Sequence, residues 1–507
     1  MPQSNTIVRP AKQQRLHRNV LVNAISIAVP MLVAVFAIPR IIAGMGMARF
    51  GILSLGWIII GYSGMFDLGL GRALTKFVAE RIGTDKEREL PNLVFTANVL
   101  MVVFGAMGGL LVVACAPFVL FHWIHIPLEL RGETYSSIYV IAGSLPVVVV
   151  TAGLRGVLEA AQRFDLSGGL RTALGLFNFI SPLLVLPFTR NLSVILLVLV
   201  AGRVVVLLAH FVLCIRFVPG LKGRSDFDRG LVRPLLAFGS SSTVSSIAAP
   251  LITALDRFVV GARISVLAVP YYASPSEITS RVALFPNALV GVLFPAFSAR
   301  LANGDQDSMA LFRKSGHALM ALMFPTSLGM VAFSQRGMEL WLGHEFALKS
   351  NSVLQLLAIA VFSNSFGLLA FTLIQSAGRP DLCAKLNVAE LLIYTPFLWH
   401  YTLKYGVTGT AALALVRVAL DTAILLALCA QIVPNLRPAV VEIFVMFLSG
   451  VAVLVIATIP MFQRSVPLLF SVAMAASAIF AWRVFQGCLY KEDLLRYLRR
   501  ASITGKG

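Results

Sequence analysis

The sequence lacks any long hydrophilic block that could form a soluble domain. Charged residues make up only 13% of its 507 residues, about half of the usual share in soluble globular domains. Hydrophobic residues make up 58%, and the mean hydropathy is +0.85. The connections between the apolar runs are too short to hold a catalytic domain. These features exclude an ordinary soluble protein and predict an integral membrane protein whose function lies within the bilayer.

Cysteine is scarce, and the usual signatures of enzymes are missing. The five cysteines stand singly in or beside apolar runs, a pattern that supports neither a disulfide framework nor a metal site. The sequence contains no GxxxxGK[ST] phosphate loop, no HExxH, no CxxC and no GxSxG nucleophile motif. We therefore predict a protein that is not an enzyme and that binds no metal and no cofactor.

Apolar runs long enough to cross a bilayer, about 20 residues each, occur roughly fourteen times. They predict an all-α polytopic membrane protein with about fourteen transmembrane helices, of which the seventh and eighth are interrupted by polar residues. The predicted spans are 20–39, 50–68, 92–121, 136–157, 172–188, 192–218, 235–260, 266–298, 316–334, 352–376, 384–402, 407–432, 439–460 and 465–488.

Acidic residues are few, and the excess of positive charge is unevenly distributed. The chain has 42 Lys and Arg against 23 Asp and Glu, a net charge of +19. With fourteen spans and a cytoplasmic N-terminus, most of the basic residues fall on cytoplasmic segments, which is the positive-inside bias. We therefore expect both termini in the cytoplasm and a basic inner surface that favours anionic lipids. This distribution argues against nucleic acid as the partner.

A short internal repeat predicts two lobes. SIAVP at 26–30 recurs as SIAAP at 246–250, a separation close to six spans, as in parallel repeats of transporters. This predicts an N-lobe over 1–220, a C-lobe over 221–435, and two extra helices with a basic tail over 436–507. Coincidental placement of proline is the alternative explanation.

Ionisable residues within predicted spans are costly and usually face a bundle interior or a watery cavity. Arg203 has no partner nearby in sequence. Two pairs, Glu277 with Arg281 and Arg417 with Asp421, are spaced four residues apart and can meet on one helix face. A structural role in locking helices is the alternative for both pairs. The residues of this kind are Arg203, Asp256, Arg257, Glu277, Arg281, Arg417, Asp421 and Arg483.

The end of the second predicted span carries a distinctive charged segment. Asp67 is followed by Gly69 and Gly71 and then by Arg72 and Lys76, four residues apart. On a helix these two cations would share one face and repel each other. Such an arrangement fits either a solvated or headgroup-facing surface or a site where an anion lies between them.

Several segments together resemble one family of membrane proteins. They are FDLGLGRALTKFVAE after the second span, LEAAQRF after the fourth, DRFVVGA in the seventh, YYASPSEITSR running into LFPAFSARL in the eighth, and IQSAGRP after the tenth. In order and spacing they resemble the oligosaccharide flippases, the polysaccharide-biosynthesis exporters of the multidrug/oligosaccharidyl-lipid/polysaccharide superfamily. The resemblance extends from the first span to about residue 435.

This resemblance implies two six-helix lobes around a central cationic cavity that opens alternately to each side, with two helices appended. It implies a bacterial inner-membrane flippase of polyprenyl-pyrophosphate-linked oligosaccharide that serves the synthesis of O-antigen, capsule or exopolysaccharide. The expected partners are this substrate, membrane lipids, H⁺ or Na⁺, and other polysaccharide-assembly membrane proteins. Candidate substrate-binding residues are Arg72, Lys76, Arg203, Arg257 and Arg281, and candidate ion-coupling residues are Asp67, Asp256 and Asp421.

Two other functions compete with this hypothesis. A drug or cation antiporter of the same superfamily would favour an acidic cavity, whereas this chain has a surplus of arginine within its spans. A membrane polysaccharide polymerase or ligase would need acid and base residues on a sizeable loop, which the short connections do not provide.

Overall fold

A computed structural model describes residue 30 and residues 33–459, with gaps at 62–65, 83, 119–125, 219, 222, 224 and 303–306, together with residues 470, 471 and 474. Within this part of the chain the secondary structure is helical, without β-strands. The described residues form fourteen α-helices: α1 (Val33–Met45), α2 (Met47–Gly61), α3 (Leu70–Arg81), α4 (Leu90–Phe118), α5 (Arg131–Ala160), α6 (Phe164–Val185), α7 (Leu192–Phe217), α8 (Arg229–Arg263), α9 (Val269–Val282), α10 (Leu284–Ala302), α11 (Asp307–Leu342), α12 (His344–Ser376), α13 (Pro380–Ile432) and α14 (Arg437–Thr458). The predicted all-α polytopic fold and its helix number are confirmed.

The helices do not correspond one to one with the predicted spans. The second span is divided between α2 and α3, and the eighth is divided between α9 and α10. The eleventh and twelfth spans both lie in α13. The predicted fourteenth span, 465–488, lies almost wholly outside the described residues.

The long helix α13 is a hairpin of two antiparallel arms. Its backbone leaves the helical conformation at Gly406, where φ is 64° and ψ is −152°. The hydroxyls of Thr402 and Thr410 lie 2.9 Å apart, although eight residues of straight helix would separate them by about 12 Å. Glycine suits this turn because the positive φ is strained for residues with a Cβ.

Eight of the described helical segments are long and apolar enough to cross a membrane. They are α4, α5, α6, α7, α11, α12, α13 and α14. α9, with 14 residues, is shorter than the roughly 20 residues that a span requires.

The chain divides into two compact units, residues 1–270 and residues 271–507. In the first unit, α3, α4, α5 and α7 enclose a core that includes Leu74, Leu93 and Val157, each fully buried. α4 and α5 approach closely at Gly105 and Gly109, where an added Cβ would meet the α5 backbone. Small residues commonly permit such close contact between membrane helices.

In the second unit, α12 is the central helix. It packs against α10, α11, α13 and α14, and its residues are buried along most of its length. Phe362 and Phe366 of α12 contact each other and meet Phe324 of α11 and Phe447 of α14. The appended helix α14 is therefore an integral part of this unit.

The predicted boundary between lobes at residue 220 remains a prediction. α8, which follows this boundary in sequence, packs against α2, α3 and α4 within the first unit. The repeated segments 26–30 and 246–250 lie, apart from Pro30, outside the residues whose side chains are described.

Candidate functional site

Asp67 stabilises the start of α3. Its two carboxylate oxygens accept hydrogen bonds from the backbone N–H groups of Gly69, at 2.7 Å, and Gly71, at 3.4 Å. These groups have no partner within the helix itself, and Gly69 has the positive φ of 77° that glycine tolerates. The contacts assign Asp67 a capping role, and a role in ion coupling remains a prediction.

Arg72 and Lys76 lie on the exposed side of α3. The Nζ atom of Lys76 is 3.7 Å from a carboxylate oxygen of Glu80, and both side chains are about half exposed. This geometry favours the surface interpretation for Lys76 over an anion held between Arg72 and Lys76.

A pocket within the first unit gathers positive charge between α5, α6 and α7. Its volume is about 120 Å³. Its wall contains Arg155 from α5, Arg171 from α6, and Arg203 and His210 from α7. The remaining lining residues are the hydroxyl-bearing Thr151 and Ser167 and the apolar Val148, Ala152, Leu170, Leu174 and Val206. We call this cavity the α5–α7 pocket.

Arg203 is the deeply buried cation of the pocket, with only 7% of its surface exposed. Its Nη2 atom donates a hydrogen bond to the side-chain oxygen of Asn178 on α6, at 3.0 Å. Asn178 is neutral, so this bond orients the guanidinium without cancelling its charge. The Nε atom of Arg203 has no hydrogen-bond partner among the described residues. A buried polar atom without a partner is costly, so this position suits a bound acceptor.

His210 lies seven residues after Arg203 on α7, two turns along the same face. It is 3% exposed. Its Nδ1 atom is 2.9 Å from the carbonyl oxygen of Val206, whereas Nε2 has no hydrogen-bond partner among the described residues. Arg203 and His210 therefore each have a buried nitrogen atom with no hydrogen-bond partner among the described residues.

Arg155 and Arg171 complete the cationic wall. Arg155 is partly exposed and lies 3.7 Å from Glu159, one turn farther along α5. Arg171 lies within electrostatic range of both residues. None of the lining residues is a carboxylate, although Glu159 lies beside Arg155 and Asp67 is within its electrostatic range. The three guanidinium groups therefore leave an excess of positive charge in the lining. Arginine binds phosphate oxygens with paired, directed donors, so the pocket is suited to an anion.

The sequence pointed to Arg203 but not to Arg155, Arg171 or His210 as site residues. Arg171 lies in GGLRTALG and resembles an ordinary positive charge near a helix end. The spacing of seven residues between Arg203 and His210 was a usable signal, because it places both polar residues on one face of an apolar helix.

The other candidate residues lie elsewhere. Asp256, which is buried, and the half-buried Arg257 belong to α8. Arg281 belongs to α9 in the second unit, where it pairs with Glu277 at 3.3 Å, as the spacing predicts. None of these three candidates lines the α5–α7 pocket.

Arg417 pairs across the α13 hairpin. Its Nη1 atom lies 2.6 Å from Glu390 on the other arm, and its guanidinium lies over the ring of Tyr394 at 5.1 Å. The sequence suggested Asp421 as the partner, and the hairpin supplies Glu390 instead. Asp421 remains within electrostatic range of both Glu390 and Arg417.

Comparison with known proteins places these features in context. Residues 16–300 match the family described as polysaccharide biosynthesis protein. A putative O-antigen transporter of Shigella flexneri is 25% identical over 418 residues, which cover 80% of this chain and 96% of that protein. This relative is named as a transporter and not as an enzyme, in agreement with the prediction.

Several solved structures share the fold. The lipid II flippase MurJ, in an inward closed conformation, superimposes with a TM-score of 0.67 at 14% identity and covers 94% of this chain and 100% of its own. An inward-facing multidrug resistance transporter of the MATE family, in the MOP superfamily, gives 0.69 at 12% identity and covers 84% of this chain and 98% of its own. At these identities the likeness shows the fold alone.

Proposed function

Because the chain belongs to the polysaccharide biosynthesis protein family, we propose that it is a flippase. Its substrate is a polyprenyl-pyrophosphate-linked oligosaccharide, which it moves across a bacterial inner membrane for the assembly of surface polysaccharide. The named role of the Shigella flexneri relative as a putative O-antigen transporter supports this substrate class.

The α5–α7 pocket is the observation that carries the proposal. A lipid-linked oligosaccharide presents a pyrophosphate between its lipid and its sugars, and Arg155, Arg171 and Arg203 offer matching cationic donors. The unused Nε atom of Arg203 lies buried in this wall. The pyrophosphate binds here while the polyprenyl chain stays in the surrounding lipid.

Arg72, Lys76, Arg257 and Arg281 serve as accessory cations along the route of the headgroup. Lys76 is the weakest of these candidates because Glu80 already pairs with it. Transport proceeds by alternating access of the binding site to the two sides of the membrane. Both termini lie in the cytoplasm, and Asp67, Asp256 and Asp421 are the candidates for coupling to H⁺ or Na⁺.

The energetics of export are favourable for an anionic substrate. A charge moving through the membrane potential gains about 2.3 kcal/mol per 100 mV. Two negative charges leaving a negative interior therefore gain roughly 4–5 kcal/mol. A cation antiporter would instead need an acidic site, and the walls of the α5–α7 pocket argue against that alternative.

The test is transport of a fluorescent or radiolabelled lipid-linked oligosaccharide in vesicles that contain the purified chain. We expect the substrate to reach the opposite leaflet faster than in protein-free vesicles. A second sample carries Gln at Arg72, Lys76, Arg257 and Arg281 together and is expected to flip more slowly. Absence of transport by the wild type, in the presence and absence of pH and Na⁺ gradients, would contradict the proposed function.

A further inference from the structure

His210 has one ring nitrogen in use and one without a partner. The Nδ1 atom lies 2.9 Å from the carbonyl oxygen of Val206. A carbonyl oxygen can only accept, so Nδ1 carries the hydrogen and donates it. In the neutral ring Nε2 then carries a lone pair and no hydrogen. This atom is buried without a hydrogen-bond partner among the described residues.

The charged residues that line the pocket with His210 are all cationic. Among the described residues, α5 and α6 pack most extensively against α7, and α2 makes a smaller contact. Of their charged residues, Arg155 and Arg171 line the pocket together with Arg203 of α7 itself. The remaining charged residues of these helices are Arg49, Arg131, Glu133, Glu159 and Asp165.

Most of these remaining charges are engaged away from His210. Glu133 pairs with Arg49 at 3.1 Å and accepts from the backbone N–H of Leu192, which is at the opposite end of α7. Asp165 pairs with Arg163 at 3.1 Å. Glu159 pairs with Arg155 at the partly exposed end of the pocket. In addition, Asp67 lies within electrostatic range of Arg155.

This arrangement links an anion to a proton. A phosphate oxygen that reaches Nε2 from the pocket would meet its lone pair, and two such electron-rich atoms repel. A proton on Nε2 turns this contact into a charge-assisted hydrogen bond and adds a fourth cation to the wall. Anion and proton therefore favour each other's binding, as thermodynamic linkage requires.

We propose that a phosphate-bearing headgroup enters the α5–α7 pocket together with a proton, which binds to Nε2 of His210. The proton comes from water and leaves again when the headgroup leaves. The inference rests on the proposed function, in which the anion is the pyrophosphate of the lipid-linked substrate. It adds that a proton accompanies the substrate and lowers the negative charge that must cross the membrane.

Isothermal titration calorimetry of the full chain in detergent tests this directly. Farnesyl pyrophosphate, a short polyprenyl pyrophosphate, is titrated at one pH in two buffers that differ in ionisation enthalpy. The difference in heat gives the number of protons taken up per ligand. The same titration is made on His210→Asn, whose side-chain N–H can still donate to Val206 but which has no Nε2.

We expect the wild type to take up more protons than His210→Asn, by up to about one per bound ligand. Subtraction removes the protons that the pyrophosphate itself exchanges. Arg203→Gln serves as the matched control in the same pocket, and it should bind more weakly while its proton uptake stays at the wild-type level. Should His210→Asn not give a monodisperse protein, His210→Gln replaces it.

Two results would overturn the inference, and they are distinguishable. Equal proton uptake by the wild type and the His210 variant would remove the proton from the pocket but leave it as an anion site. Absence of farnesyl pyrophosphate binding by the wild type would overturn the inference. It would also overturn the proposed role of the pocket as the site that receives the pyrophosphate.

Discussion

The guanidinium of Arg203 and the amide of Asn178 join α7 to α6 through a hydrogen bond of 3.0 Å in the interior of the first unit. The pairing is informative because a buried arginine is usually neutralised by a carboxylate. Here the acceptor is neutral and the positive charge persists. We attribute the neutral partner of Arg203 to an anionic ligand, because a carboxylate at the same position would repel that ligand.

Asn178→Asp tests the attribution with nearly the same side-chain shape. The new carboxylate should pair with Arg203 and reduce the affinity for farnesyl pyrophosphate by roughly 10- to 100-fold, or about 1.5–3 kcal/mol. The matched control is Asn191→Asp at the N-terminus of α7, where the side-chain oxygen accepts from the N–H of Ser193 at 2.9 Å. Aspartate caps helices as well as asparagine. Equal affinities of both variants would contradict the attribution.

Arg417 and Glu390 should make a large contribution to stability. Their side chains are 19% and 12% exposed, so Arg417→Leu leaves a mostly buried carboxylate without its cation. We expect a loss of roughly 3–5 kcal/mol, and a partial recovery in the double variant Glu390→Leu/Arg417→Leu. Both effects can be followed by the melting temperature in detergent.

Asp421→Asn provides the control for this ion pair. Because the cation of Arg417 contacts Glu390 directly, neutralising Asp421 should change the stability by less than about 1 kcal/mol. If Asp421→Asn lowered the stability as much as Arg417→Leu, Asp421 would be the partner that matters for stability. The pairing of Arg417 with Glu390 across the hairpin would then be contradicted.

Close packing of α4 on α5 predicts that alanine substitutions at two glycines have different effects on stability. A Cβ at Gly105 would lie 2.6 Å from the Cα atom of Pro146, which belongs to the backbone and cannot rotate away. Gly105→Ala should therefore cost about 1–3 kcal/mol. Gly143→Ala on α5 meets open space and should be neutral or stabilising by up to about 1 kcal/mol. Similar melting temperatures for both variants would contradict the packing.

Membrane potential should influence transport. An inside-negative potential, set by a K⁺ gradient and valinomycin, should accelerate outward flipping. The driving force is about 2–5 kcal/mol per 100 mV, with the lower value if one proton accompanies two negative charges. A rate that does not change with the potential would contradict the expectation that net negative charge moves outward in the step that limits flipping.

Much of the fold follows from the sequence because helix length and hydropathy are local properties. The second predicted span illustrates the limit. Its apolar pattern ends near Phe66, but the separation of α2 from α3 depends on the carboxylate of Asp67 and the positive φ of Gly69. In the same way, the turn at Gly406 converts two short predicted spans into one hairpin.

The candidate site was less predictable because its members come from three helices. Pairs spaced by four residues, such as Glu277 with Arg281, follow from helix geometry, and that pair is confirmed. Contacts between helices, such as Arg417 with Glu390, leave no spacing signal. Arg171 belongs to the second kind, since only the packing of α6 against α7 brings it near Arg203.

The most direct test of the central claim is the flipping rate of a triple variant of the α5–α7 pocket, Arg155→Gln/Arg171→Gln/Arg203→Gln. Its matched control carries the same change at three exposed arginines outside the pocket, Arg88, Arg190 and Arg379. In vesicles that hold equal amounts of folded protein, we predict a loss of at least about tenfold for the pocket variant, as expected for removal of charge-assisted hydrogen bonds, and a near wild-type rate for the control. Equal rates for the pocket variant and the wild type would contradict the claim that this pocket receives the anionic headgroup.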